Sequence, residues 1–170
     1  MTRIPLLDSK DGLSEEQAAV FDAIVESRGS MIRPYEVLLH APGLAQPAGS
    51  LGAQIRYHGA LSDHDRELSI ITTASIHHCG FEWDSHVDIA RSAGVAEGVI
   101  EVLASGSGTL PDRESMIVAF IRELCDTSTV SDDTFGAIGE VLTEAQVVEL
   151  SALVGYYTLL AFVMNTAGAC

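Results

Sequence analysis

Lysine is nearly absent from this chain. Lys10 is the only one in 170 residues, and nine basic residues face 24 acidic ones, for a formal net charge of −15. A surface so acidic repels phosphate backbones and anionic lipid, which argues against nucleic-acid and membrane-surface roles. It also disfavours a polyanionic substrate unless arginines gather locally. Cysteine is scarce too: Cys79, Cys125 and Cys170 stand at wide, unrelated spacings with no CxxC. No zinc knuckle or thioredoxin-type pair is therefore written in the chain. The odd count predicts reduced thiols and a cytoplasmic protein rather than a disulfide framework. The opening "MTRIPLLDSKDG" has no long apolar stretch of the kind a signal peptide needs. The apolar run "LSALVGYYTLLAFVM" (150–164), 15 residues with no charge, falls short of the roughly 20 apolar residues of a membrane span. Bounded by Glu149 and Asn165, it reads as a buried helix or a subunit interface. Strand-like alternation is missing throughout.

What is present is a succession of helix signals. Hydrophobic residues make up 47% of the chain, enough for a sizeable core. Ser14 and Gln17 have capping-box spacing, and Gly29 closes the apolar pattern of Ala18, Phe21, Ile24 and Val25. Pro34 opens a short helix. Pro42 opens another, which Pro47 is expected to kink or split. Ser62 caps a segment whose first turn carries Asp63 and Asp65, suited to the helix dipole. Further helices are predicted over 95–105, from Pro111 to 127, after Ser131, and behind the Thr143/Gln146 capping box. The linkers are short, as in a helical bundle. The expected architecture is all-α: one domain over 1–170, with an N-terminal extension (1–30), a core (60–105) and C-terminal helices (111–166).

Chemistry is densest in "HHCGFEWDSH" (77–86). On a helix, Cys79, Glu82 and His86 share one stripe, and His78, Glu82 and His86 a neighbouring one. Positions 78 and 86 are about 12 Å apart along a helix axis, so one metal cannot take both. No other histidine (His40, His58 or His64) stands at a diagnostic spacing, and no metal is expected. If Gly80 starts a new helix, Cys79 lies at a helix N-terminus, where a thiol is activated; no second cysteine stands nearby to resolve it, and Cys125 would have to be brought close by the fold. Glu82 and His86, one turn apart, make a proton-transfer pair, and a second carboxylate from Glu67 would tune it. Each has a plain alternative: a buried structural cysteine, a solvated i,i+4 pair, or a surface ion pair of Glu67 with Arg66 or Arg91.

The run "DRELSIITTASIHHCGFEWDSHVDIARSAGV" (65–95) resembles the core of the carboxymuconolactone decarboxylase superfamily, which includes the alkyl hydroperoxidase D proteins. "YEVLLHAPGLAQ", "LGAQIRYHGALSDHDREL" and "VSDDTFGAIGEVLTEAQVVELSALVGYYTLLAFVMN" are similar to flanking parts of the family, extending the likeness over about 30–166. The resemblance implies an all-helical fold of the alkyl hydroperoxidase D-like type and a homo-oligomer (dimer, trimer or hexamer). In the peroxidase branch a glutamate precedes a CxxC and a histidine. Glu67, Cys79 and His86 match these in order, while Glu82 replaces the second cysteine. "FEWDSH" is instead similar to the branch lacking CxxC, associated with decarboxylase-like proton transfer.

These readings give a lyase-like, cofactor-free acid–base enzyme acting on a small carbonyl or lactone compound. The alternatives are a thiol peroxidase or oxidoreductase using Cys79, and a non-enzymatic helical oligomer that binds a ligand or partner. The candidate catalytic residues are Glu82, His86, Glu67 and Cys79. Arg66, Trp83, Tyr57 and His78 are candidates for substrate binding, although core packing accounts equally well for Trp83. Tyr156 and Tyr157 read most simply as core or interface.

Overall fold

The computed structural model describes residues 2–170, and among them there are nine α-helices and no strands. They are α1 (Glu15–Arg28), α2 (Arg33–Leu38), α3 (Pro42–Tyr57), α4 (Asp63–Ile76), α5 (Gly80–Ser92), α6 (Glu97–Ser105), α7 (Asp112–Thr127), α8 (Asp132–Gly139) and α9 (Glu144–Ala167). The chain forms two compact units. One comprises the residues up to His58 together with Phe162–Cys170, the other Gly59–Ala161.

In the first unit, α1 begins in the expected capping box and ends at Gly29, whose φ of 84° is left-handed. Both signals are local, which is why the sequence displays them. α1 packs on α3. A Cβ on Gly49 would come within 2.6 Å of Ile24 Cδ1, so any larger residue there must displace the end of the Ile24 side chain. The Arg28 guanidinium donates to the Tyr35 hydroxyl (2.8 Å) and the Gly49 carbonyl (3.1 Å). Pro47 neither ends nor divides α3; it removes a single i→i−4 hydrogen bond, and the flanking turns carry the helix through.

In the second unit, α4 is the central element and packs against α5, α6 and α7. Every residue from Glu67 to Ala74 is buried. Such burial would strand the hydroxyls of a polar helix. Here Ser69, Thr72 and Thr73 each donate to the carbonyl four residues back, at 2.6–2.8 Å. Ser62 caps α4 as expected, its hydroxyl accepting from the Asp65 amide. The Asp65 carboxylate takes 2.7 Å and 3.4 Å hydrogen bonds from Arg113 on α7. At the foot of α9, the Glu149 carboxylate accepts from the amides of Ala60 (2.5 Å) and Leu61 (3.2 Å), and Gln146 donates to the Ala60 carbonyl. Together they fix the segment that leads into α4.

α4 and α5 are joined by only His77, His78 and Cys79, so they run as antiparallel neighbours. His78 makes the turn in the left-handed region, at φ 51°. That conformation costs a non-glycine residue roughly 1 kcal/mol. The Cys79 amide donates back to the Ala74 carbonyl at 3.0 Å and locks the reversal.

Candidate active site

The α4–α5 hairpin decides what the site contains. Glu67 lies in the second turn of α4, and Glu82 and His86 lie one turn apart on α5. Folding the two helices against each other brings all three side chains together. Their exposures are 1%, 3% and 4%, which rules out a solvated surface arrangement. The bonds are specific: His86 Nδ1 is 2.7 Å from Glu67 Oε2, and Nε2 faces Glu82 Oε2 at 3.7 Å. With a proton on Nδ1 donated to Glu67, Nε2 is left as the lone-pair nitrogen turned toward Glu82. The imidazole thus stands between two carboxyl groups. The cheapest state of so buried a cluster holds a proton among the three groups instead of separate negative charges.

Arg66 reaches the outer side of the cluster. Its Nε is 3.4 Å from Glu67 Oε1, and its terminal amine is 2.9 Å from Asp63. Glu67 therefore pairs with Arg66 and His86 inside the fold. Arg91, the other partner considered from sequence, instead binds Asp88 and Glu97 at the surface.

Cys79 is the N-cap residue of α5 and is 1% exposed. The expectation of three reduced thiols is corrected here: Cys79 and Cys170 are disulfide-bonded, and Cys125 is the free cysteine. Separation along the chain carries no information about proximity in the fold, which is where the counting argument failed. Cys125 is not the second thiol for Cys79. It is half-buried, 3.9 Å from His77 Nε2, and burial pushes its thiol up from the ordinary range. His77 also meets Thr158 at 2.9 Å, and desolvation, followed by the neighbouring His78, pulls its imidazole down.

Cys79, His78 and Trp83 share the wall of an open cavity of about 300 Å³, with Ser75, Gly80 and Ala104. Tyr57 belongs to the other compact unit. It ends α3 at 55% exposure, with the Arg56 guanidinium 5.7 Å from its ring centre. Among the described residues, no three His, Cys, Asp or Glu side chains are arranged to hold a metal ion.

Two residues escaped the sequence reading. Tyr157 of α9 packs its ring perpendicular to the His86 imidazole, with centroids 5.5 Å apart. Tyr156 meets Tyr157 in the same fashion at 5.3 Å. In the sequence they are two more apolar-run residues at core positions, and only their hydroxyls set them apart.

A buried carboxylate–imidazole–carboxylate cluster thus sits on a helical hairpin, in a fold that is all-α over the described residues. The comparisons agree with that fold. The profile of the Carboxymuconolactone decarboxylase family matches residues 42–114, the segment that carries Glu67, Cys79, Glu82 and His86. The fold is similar to an uncharacterized peroxidase-related protein with an alkylhydroperoxidase AhpD core from Ralstonia eutropha JMP134. That match has TM-score 0.79 and 19% identity, covering 99% of this chain and 91% of the other. A peroxidase-related protein from Silicibacter sp. TM1040 matches at TM-score 0.77 and 14% identity, over 98% and 90% of the two chains. The debrominase Bmp8, as a cysteine-to-alanine variant in complex with 2,3,4-tribromopyrrole, matches at TM-score 0.75 and 13% identity, over 100% and 93%. At these identities the likeness speaks for the fold alone. No curated protein matches in sequence. The chain therefore has the fold of the alkylhydroperoxidase D-like proteins, and its residues 42–114 match the Carboxymuconolactone decarboxylase family.

Proposed function

We propose that the protein is an acid–base enzyme of the lyase type, acting without a cofactor on a small carbonyl or lactone compound. The observation that carries this reading is the His86 imidazole, held at Nδ1 by Glu67 at 2.7 Å and facing Glu82 with Nε2 at 3.7 Å. Glu82 is the group that exchanges a proton with substrate. As a carboxylate it removes a proton from the carbon next to a carbonyl, leaving an enolate. As a carboxylic acid it protonates the enolate left when a β-carboxylate departs as carbon dioxide. His86 returns Glu82 to its starting protonation state through Nε2. Glu67 keeps the imidazole in the tautomer that makes this possible, and Arg66 balances the charge of Glu67 from outside.

Glu82→Gln tests the assignment against a panel of small β-keto acids and lactones. The variant keeps the shape of the side chain and loses the proton. Turnover of a responding compound is expected to fall by a factor of about 100 to 10,000, the usual worth of a general acid–base residue. Turnover within threefold of the parent protein removes Glu82 from the chemistry.

One observation favours a second reading. Cys79 is disulfide-bonded, the state that two thiols reach after together giving up two electrons. In a peroxidase cycle the Cys79 thiolate attacks a hydroperoxide oxygen, the O–O bond breaks, and the alcohol leaves while Cys79 becomes a sulfenic acid. A second thiol then displaces water and forms the disulfide, which an external dithiol reduces. The names of the Ralstonia and Silicibacter proteins support this reading. Protein reduced and freed of reductant is expected to consume one equivalent of hydroperoxide and lose two titratable thiols. Absence of consumption, or unchanged consumption in Cys79→Ser, eliminates it.

A further inference from the structure

We infer that Tyr157 is a positioning residue of the acid–base site: its ring fixes the plane of the His86 imidazole, so that Nδ1 meets Glu67 while Nε2 meets Glu82. The inference rests on the acid–base reading of Glu82 and His86.

Two hydrogen-bonding partners do not by themselves orient an imidazole. His86 Nδ1 is anchored at 2.7 Å, but Nε2 lies 3.7 Å from Glu82, beyond direct hydrogen-bonding distance. A single short bond does not stop the ring from turning about its Cβ–Cγ bond. Such turning swings Nε2 out of line with Glu82 and bends the Nδ1···Oε2 bond away from its best geometry, so that Glu67 no longer holds the proton on Nδ1 alone. A third contact is needed, and it must act on the ring plane.

Tyr157 supplies it. Its ring stands at 89° to the imidazole with centroids 5.5 Å apart, inside the range of a favourable edge-to-face contact. The tyrosine is itself immobilised. It is 3% exposed, and Tyr156 packs against it at 88° and 5.3 Å. It is also carried in the middle of the longest helix, with Leu153, Val154, Leu160 and Ala161 buried around it. The site thus has supports of two kinds. α4 fixes the position of one nitrogen, and α9 fixes the orientation of the ring. Tyr157 lies well beyond the family match at 42–114, so this second support is outside the segment that carries the proton-transferring groups.

The test needs no substrate. Protein labelled with nitrogen-15 in histidine gives the shifts of both ring nitrogens of His86, assigned by comparison with His86→Ala. They are recorded on the alkaline plateau of the titration, where the ring is neutral. In the parent protein the two nitrogens are expected to be widely separated, with the proton on Nδ1. Tyr157→Phe keeps the ring and should preserve that separation. Tyr157→Leu removes the ring and should draw the two shifts toward each other as the tautomers mix, while circular dichroism confirms an intact helical fold. If the leucine variant does not fold, the more flexible Tyr157→Met is read in its place. An unchanged single tautomer in whichever ring-free variant folds overturns the inference. Tautomer mixing in Tyr157→Phe overturns it as well, because a ring is then not what matters. The acid–base reading fails separately, on turnover by Glu82→Gln.

Discussion

Removing the imidazole of His86 should destabilise the protein more than removing the carboxyl group it binds, and removing both should cost less than removing the imidazole alone. The reasoning starts from burial. Glu67 is 1% exposed, and its charge is compensated by His86 at 2.7 Å and by Arg66 at 3.4 Å. In His86→Leu, a side chain of comparable bulk, the short bond is gone and a buried carboxylate keeps only the longer contact. Breaking such a pair from one side costs about 3–5 kcal/mol. In Glu67→Leu the survivor is an imidazole, which can stay neutral, and the cost is about 1–3 kcal/mol, that of an unsatisfied polar group. The double variant leaves neither and should fall within about 2 kcal/mol of the parent protein, the remainder coming from Glu82, which also faces the imidazole. For a chain of this size, each kcal/mol moves the melting temperature by about 2–4 °C. His86→Leu should therefore melt about 6–20 °C below the parent, and the double variant well above His86→Leu. Thermal unfolding at pH 7, followed by circular dichroism on all four proteins, decides it. A double variant whose loss equals the sum of the two single losses would show that Glu67 and His86 are energetically independent, and the site would have to be rebuilt on other contacts.

Two further outcomes follow from other parts of the fold. Burial alone raises the Asp65 carboxyl, but hydrogen bonds from Arg113, His64 and Ser62 outweigh it and hold the group below the ordinary carboxylate range. A depressed carboxyl contributes stability above its unfolded value of about 3.9, and that contribution is lost as pH falls through the folded value. Asp65→Asn should therefore flatten the acid limb of a stability–pH curve below about pH 4; an acid limb as steep as the parent's would refute this. A Cβ on Gly59 would lie 2.0 Å from Glu149 Oε1, and Glu149 holds the amides of Ala60 and Leu61. Gly59→Ala should cost about 2 kcal/mol by breaking those bonds, and adding Glu149→Ala should cost little more. Additive losses would show that the clash falls elsewhere.

The sequence was most legible where a few neighbouring residues decide the structure. The Ser14–Gln17 box, the Ser62 cap and the Gly29 stop are all realised, because each depends on contacts within one turn. The start of α7 slipped by one residue, Pro111 being the N-cap and Asp112 the first helical residue. The i,i+4 relation of Glu82 and His86 was equally local. Their meeting with Glu67 needed the reversal at His78, so the residues offered Glu67 only as a possible third member and the family resemblance added weight to it. The approach of Tyr157 to His86 joins residues 71 positions apart in sequence, and neither it nor the bonded state of Cys79 has a pattern to announce it. Pro47 is the opposite case: of the two outcomes expected there, the split does not occur, and α3 runs on through the proline.

The start of α5 has a consequence for how the site opens. No side chain caps this helix, and its first internal bond runs from the Trp83 amide to the Cys79 carbonyl at 3.1 Å. Helices unravel from their ends, and the first turn exchanges its amide protons before the second. Glu82 rides in the first turn and His86 in the second. A transient loss of one turn therefore carries Glu82 away and leaves the His86–Glu67 bond standing. Fraying of that turn would therefore displace the Glu82 carboxyl before the His86 imidazole. The disulfide on Cys79 ties down the very residue from which that unravelling would begin.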